Sequence, residues 1–206
     1  MGNMARTDRT PRRRLAPEER REAILAAAAE AFGRRPYEDV GVAGVAAAAG
    51  ASEALVYRYF AGKAELYAAV LARAGERVRA RRDAAVAALP DGVPLRDRVR
   101  ALTLATVAEV AVNPAGWASA VRRPVGEPET AEEVRRRLRA ADVDTLRATL
   151  EPRTDARHDY ALTAWFGFLD AACAHWAARG CPEAERWPLV EAALGALQGA
   201  LGDWAA

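Results

Sequence analysis

The chain has little of the chemistry that metal and redox sites use. Its 206 residues include two cysteines, Cys173 and Cys181, and two histidines, His158 and His175. Two cysteines do not make a disulfide framework, and no His/Cys cluster has metal-ligand spacing. Cys173 and His175, two apart on a helix, point about 200° away from each other. No glycine-rich phosphate loop and no nucleophile elbow occurs. The expectation is therefore a protein that is not an enzyme and carries no metal and no cofactor. No run of about 18 apolar residues free of charge exists, so no membrane span is expected. The early arginines are not followed by an apolar stretch of roughly 7–15 residues, as an export signal requires. Arg6 stands where a myristoylation motif needs Ser or Thr. A reduced, cytoplasmic protein is the expectation. Charge of one sign is also scarce: 30 basic residues face 28 acidic ones, a net +2, where a strong nucleic-acid binder is often clearly basic. Of the 30, only Lys63 is lysine.

What the chain has in quantity is alanine, 52 residues of it, the best helix former. Alternating strand patterns and fixed-period repeats are missing, so the fold class expected is all-α. Residues 1–14 carry five arginines against one aspartate and read as a basic, disordered arm. A first helix is expected over 17–32, with Pro17 in its first turn, Glu18 and Glu19 at its positive end, and Ile24, Leu25, Ala28 and Phe32 on one face. A short helix over 42–49 ends at Gly50, and Ser52 caps a third over 53–60. Gly62 separates this unit from a long helix beginning at Lys63 and fading before Pro90. Further helices are expected over 95–112, 114–121, 127–150, 155–179 and 182–204, with Pro- and Gly-containing breaks between them.

Two short helices joined by a turn with glycine form a helix-turn-helix signal. On a helix over 53–60, Val56 and Phe60 share one face and anchor it, Ala54 and Arg58 point away, and Leu55 and Tyr57 lie on the flanks. Arg58 suits guanine O6 and N7, Ala54 and Leu55 suit a thymine methyl, and Glu53 suits cytosine N4. Tyr57 and Tyr59 carry hydroxyls for phosphate, and Lys63 opens a helix whose free N–H groups favour an anion. On pattern alone such a pair also serves as packing in a bundle. The alternative is an all-helical small-molecule-binding or protein-interaction module without DNA function.

The stretch from Arg21 to Leu66 resembles the DNA-binding domain of the tetracycline-repressor (TetR) family of bacterial transcription regulators. The residues that carry the resemblance are Ile24-Leu25, Ala27-Ala28, Phe32, Tyr37, Val42, Val45-Ala46, Ala49-Gly50, Ser52, Val56-Tyr57, Tyr59-Phe60, Lys63 and Glu65-Leu66. The resemblance implies base contacts from Glu53, Ala54, Leu55, Tyr57 and Arg58. It implies phosphate contacts from Ser52, Tyr57, Tyr59 and Lys63. It further implies a homodimer on a palindromic double-stranded operator, and a small-molecule inducer that releases a repressor. The chain departs from the family pattern at Pro36, where glycine is usual, at Gly41, where Thr or Ser often caps the second helix, and at Ala43, which is too short to read a base. The implied domains are the arm 1–14, a DNA-binding domain 15–62 and a ligand-binding and dimerisation domain 63–206, with 63–88 as the connecting helix.

In the last helix Trp187, Val190, Leu194, Leu197, Leu201 and Trp204 recur at steps of three and four, a seam for a neighbouring helix. With Leu162, Leu169 and Trp176 of the preceding helix, the resemblance places them at a dimer interface. A ligand pocket is expected from Thr103, Thr106 and Glu109, polar positions in an apolar helix, together with Trp117, Trp165, Phe166, Phe168 and His175. Such pockets are mostly apolar with a few placed polar groups, so an apolar or aromatic inducer is expected. Arg135–Arg139 lie among acids and read as a solvated face with pairs Glu132/Arg136 and Glu133/Arg137. The small excess of positive charge lies wholly in residues 1–66, with 11 basic against 9 acidic residues. Affinity for DNA must then rest on placed groups and the arm.

Overall fold

The computed structural model describes residues 16–121, 126–150 and 155–202. The basic arm and Trp204 lie outside the described residues. Among them the chain folds into nine α-helices: α1 (Pro17–Arg34), α2 (Val42–Ala48), α3 (Glu53–Tyr59), α4 (Lys63–Ala87), α5 (Leu95–Val112), α6 (Pro114–Val121), α7 (Glu129–Thr149), α8 (Ala156–Ala178) and α9 (Arg186–Leu201). No strand occurs among the described residues, and the fold is all-α. No helix there is long and apolar enough to cross a membrane.

Element ends follow local chemistry. Pro17 opens α1, and the Glu19 carboxylate reaches back to accept from the Ala16 N–H at 2.9 Å. The helix runs two residues beyond the expected Phe32, because Gly33 stays helical and only the approach to Pro36 forces the backbone extended at Arg35. Asp155 caps α8 by accepting from the His158 N–H at 3.0 Å. The last helix starts later than expected: Glu183–Glu185 form a 3₁₀ turn, and α9 begins at Arg186 with Pro188 in its first turn.

Two hydrophobic cores organise the molecule. The N-terminal one gathers Ile24, Leu25, Phe32, Val45, Val56, Phe60, Leu66 and Leu71 from α1–α4, and Ala131 and Val134 from α7. The C-terminal one packs α5, α8, α9 and the second half of α7 around Phe166, Leu146, Leu162, Leu169, Leu194 and Leu197. Helices α4 and α7 span both cores, so the start of the connecting helix belongs to the N-terminal unit. Within the second core Trp165 donates its indole N–H to the Ala193 carbonyl at 2.7 Å, and Trp176 donates to Pro182 at 3.0 Å.

The residues of the expected dimer seam lie mostly inside the subunit. Leu162, Leu169, Trp176, Val190, Leu194, Leu197 and Leu201 are buried within the single chain, inside the C-terminal core. Their own subunit already closes over these side chains. Among the described residues of the seam, Trp187 is the one left outside, 54% exposed. The outward face of α8 and α9 is instead built from Tyr160, Ala164, Gly167, Phe168, Ala171 and His175 on one helix and Ala192, Gly195 and Gly199 on the other. A Cβ added at Gly167, Gly195 or Gly199 would meet open space, while Tyr160 and Phe168 stand exposed on the same face.

Candidate nucleic-acid interface and ligand cavity

The helix-turn-helix geometry follows from three local choices. Gly50 takes φ +63°, a left-handed conformation that glycine adopts without strain, and this turns the chain out of α2. Ser52 then caps α3, its hydroxyl accepting from the Leu55 N–H at 3.3 Å. Val56 and Phe60 are buried and fix α3 against Val45 and Ala46. Ser52, Glu53, Ala54, Tyr57 and Arg58 are left exposed on the outer side, while Leu55 and Tyr59 are half-buried. These are the positions to which base and phosphate contacts were expected to fall, and they present one continuous surface. Arg21 of α1 lies over the Phe60 ring at 5.3 Å and steadies the back of the unit.

Lys63, the first residue of α4, is held at two points. Its Nζ donates to the Glu38 carbonyl at 3.0 Å and lies 4.4 Å from the centre of the Tyr37 ring. Burial, with the nearby Glu38 carboxylate adding to it, pushes the Tyr37 phenol above its ordinary range, so the ring beside the ammonium stays neutral. Sequence reasoning placed Lys63 but missed this seat. The signal available was Tyr37 itself, the one aromatic in the loop 35–41.

A cavity of about 650 Å³ opens between α1, α4, α5, α6, α7 and Asp170 of α8. Its apolar wall is Phe32, Val70, Leu71, Ala74, Val78, Trp117, Val121 and Leu138. Much of the rest is charged: Arg73, Arg77 and Arg82 from α4, Arg135, Arg136 and Arg139 from α7, and Glu109, Glu129, Glu132, Asp142 and Asp170, with Tyr67 and Asn113 among them. Glu109, buried, accepts from Arg77 Nε at 2.8 Å and pairs with Arg81 Nε at 2.5 Å. Arg82 is buried too: its Nε donates to Thr106 at 2.8 Å, its Nη1 pairs with Asp142 at 2.9 Å, and its guanidinium lies 5.5 Å from the Phe166 ring centre. Arg139 pairs with Asp170, whose carboxyl burial pushes up while the guanidinium holds it down. The Trp117 indole N–H is buried without a hydrogen-bond partner among the described residues.

Only Glu109 and Trp117 of the expected pocket set line this space. Thr103 and Thr106 are buried in α5 and donate to the carbonyls of Val99 and Leu102. Trp165 and Phe166 are core, and Phe168 and His175 lie on the outer face of α8. The basic run on α7 also differs from expectation. Arg135 reaches inward to Glu127 at 2.7 Å and to the Tyr67 hydroxyl at 3.1 Å, and Arg136 pairs with Glu133, three residues back. A row of arginines on an amphipathic helix reads as solvated because the sequence does not show that a second charged helix, α4, faces it.

Residues 24–70 match the sequence model of the tetR family of bacterial regulatory proteins. The fold is similar along most of its length to a TetR-family regulator from Streptomyces coelicolor, with 25% identity, TM-score 0.70, and 90% of this chain and 80% of that one covered. The likeness to the family is thus one of sequence over residues 24–70 and one of fold over most of the chain. A TetR-like regulator from Rhodococcus sp. RHA1 shares the fold at TM-score 0.73 and 22% identity, over 92% of this chain and all of that one. In sequence the chain is 45% identical over 60 residues to the HTH-type transcriptional activator FasR of Mycolicibacterium smegmatis. That match takes in 29% of this chain and spans only 27% of that relative's length.

Proposed function

We propose that the chain is a TetR-family regulator that binds a palindromic operator as a homodimer, each subunit placing α3 in one major groove, and that it is a repressor released by a small molecule. The observation that carries the reading is the outward surface Glu53, Ala54, Tyr57 and Arg58, exposed on a helix whose opposite side is locked by Val56 and Phe60. A recognition helix needs that division: an anchored back, and a front thin enough for the groove. Arg58 reads guanine, Ala54 and Leu55 offer apolar contact, and Tyr57, Tyr59, Ser52 and Lys63 fix register on the phosphates.

The outer face of α8 and α9 supports the dimer, since it exposes the apolar Tyr160 and Phe168 beside small residues. Small residues let two copies pack closely across a two-fold axis, the exposed rings give them apolar surface to bury, and an isologous dimer matches a palindrome. The cavity supports ligand response, because it lies against both units: Phe32 of α1 and Arg82 of α4 are among its walls. Its lining favours an amphipathic molecule rather than a purely apolar one. The apolar body would lie on Val70, Val78 and Leu138, and an acceptor would complete the Trp117 N–H. Such a ligand shifts DNA affinity only by its differential affinity for the two states, with a coupling of typically ~1–3 kcal/mol.

Selection of bound sequences from randomised duplexes with the purified protein tests this reading. Enrichment of a palindrome is the expected result. Absence of enrichment at low salt would refute it in favour of a helical module without DNA function.

A further inference from the structure

The lysine expected to contact phosphate is not a free arm. It is seated on a three-ring cluster that reaches the cavity. Tyr37, in the loop between α1 and α2, stacks on Phe32 with ring centres 6.0 Å apart and an interplanar angle of 13°. It tilts against Tyr67 of α4 at 5.0 Å, and Phe32 and Tyr67 meet at 4.8 Å. Phe32 and Tyr67 are buried and both line the cavity, so Tyr37 is the ring of the cluster that faces the lysine. The Tyr67 hydroxyl in turn accepts from Arg135 of α7.

We propose that Tyr37 is a positioning residue for DNA binding: its ring and the Glu38 carbonyl hold the Lys63 ammonium at the start of α4. The same ring joins that lysine to the cavity wall through Phe32 and Tyr67. This rests on the reading of the helix-turn-helix unit as a DNA reader. An ammonium has three N–H donors on a flexible four-carbon stem. One donor is taken by the Glu38 carbonyl, and the π face of Tyr37 attracts the charge electrostatically. The stem is thereby ordered before DNA arrives, and the ordering that a phosphate would otherwise impose on a free lysine is already present. A displacement of Phe32 or Tyr67 by a cavity ligand moves the seat and with it the phosphate contact.

The composition supplies a direct probe, because Lys63 is the sole lysine of the chain. With ¹³C-labelled lysine, the protein has one lysine ε-methylene signal. The seat predicts that this signal is shifted upfield by the Tyr37 ring current, that Tyr37→Phe retains the shift, and that Tyr37→Leu loses it. An unshifted signal in the parent protein overturns the proposal without any variant having to fold. Binding is measured on the selected palindrome at several salt concentrations. Tyr37→Leu should weaken it by about two- to fivefold per half-site, the worth of an exposed cation–π contact, while Tyr37→Phe stays near the parent. In a Lys63→Ala background, Tyr37→Leu should add nothing. An equal loss in both backgrounds would make Tyr37 a purely structural residue and overturn the proposal. If Lys63→Ala alone binds with the parent's affinity and salt slope, the phosphate role of Lys63 fails and the positioning role falls with it. If no duplex is bound by any form, the fault lies with the DNA-binding reading itself.

Discussion

Arg82→Met tests the charged base of the cavity, and its cost can be worked from the contacts. The guanidinium is buried and makes three kinds of contact: a hydrogen bond to Thr106, an ion pair with Asp142 and a π contact with Phe166. Methionine keeps much of the stem's packing, so the loss is mainly electrostatic. Thr106 is little affected, since its hydroxyl still donates to the Leu102 carbonyl. Asp142 loses its partner. Removing one member of a buried pair costs about 3–5 kcal/mol because the other charge is left uncompensated. The Asp142 side chain is 23% exposed, so water relieves part of that, and the low end, about 3 kcal/mol, is expected. For a chain of this size each kcal/mol moves the melting temperature by roughly 2–4 °C, so a fall of about 6–12 °C is predicted. Thermal melts followed by circular dichroism, with urea titrations beside them, measure it. Asp142→Asn should cost clearly less in the Arg82→Met background than in the parent, with a coupling above about 1 kcal/mol. A fall of less than about 3 °C, or two strictly additive substitutions, would show that the pair is already solvated and adds little to stability.

Arg58→Ala should relax the preference at one base pair of each half-site by roughly 1–3 kcal/mol, read by competition between matched and singly substituted operators; uniform weakening across sequences would instead make Arg58 a phosphate contact. Gly195→Arg places a charged side chain where a Cβ meets open space, so the folded subunit should survive while sedimentation shows a loss of dimer; an intact dimer would move the interface elsewhere. Burial pushes the Cys173 thiol up to about 12, so at pH 8 it stays protonated and iodoacetamide should modify it only on unfolding. The half-buried Cys181 should react faster in the native protein, and mass spectrometry of tryptic peptides separates the two.

The helices and the faces of α3 were legible because they depend on local spacing. Val56 and Phe60, four apart, bury together, and Gly50 and Ser52 punctuate the turn as their backbone and capping preferences require. The C-terminal seam was legible as a stripe but not as to its owner. Leu194, Leu197 and Leu201 repeat at intervals that suit a partner helix in the same subunit as well as one in another. Exposure alone decides between them. Small residues such as Gly195 and Ala192, which carry no hydrophobic signal, turn out to form the open face. The cavity was the least legible part. Its walls come from α1, α4, α5, α6, α7 and α8, far apart in sequence, and its arginines satisfy themselves with acids from other helices, such as Arg139 with Asp170 and Arg82 with Asp142. No periodicity within one helix encodes that pairing.

Where α6 crosses α1, glycine meets glycine. A Cβ on Gly33 would fall 3.7 Å from the Cα of Gly116, and Gly116 is itself covered by the Asn113 side chain, whose Oδ1 accepts its N–H at 2.9 Å. Most helix crossings are cushioned by side chains that change rotamer when one helix shifts. At this point of the crossing two residues without side chains face each other, and room remains for no more than a methyl group between them. The same helix α6 carries Trp117 on the cavity wall, so the cavity borders the closest approach of α6 to α1.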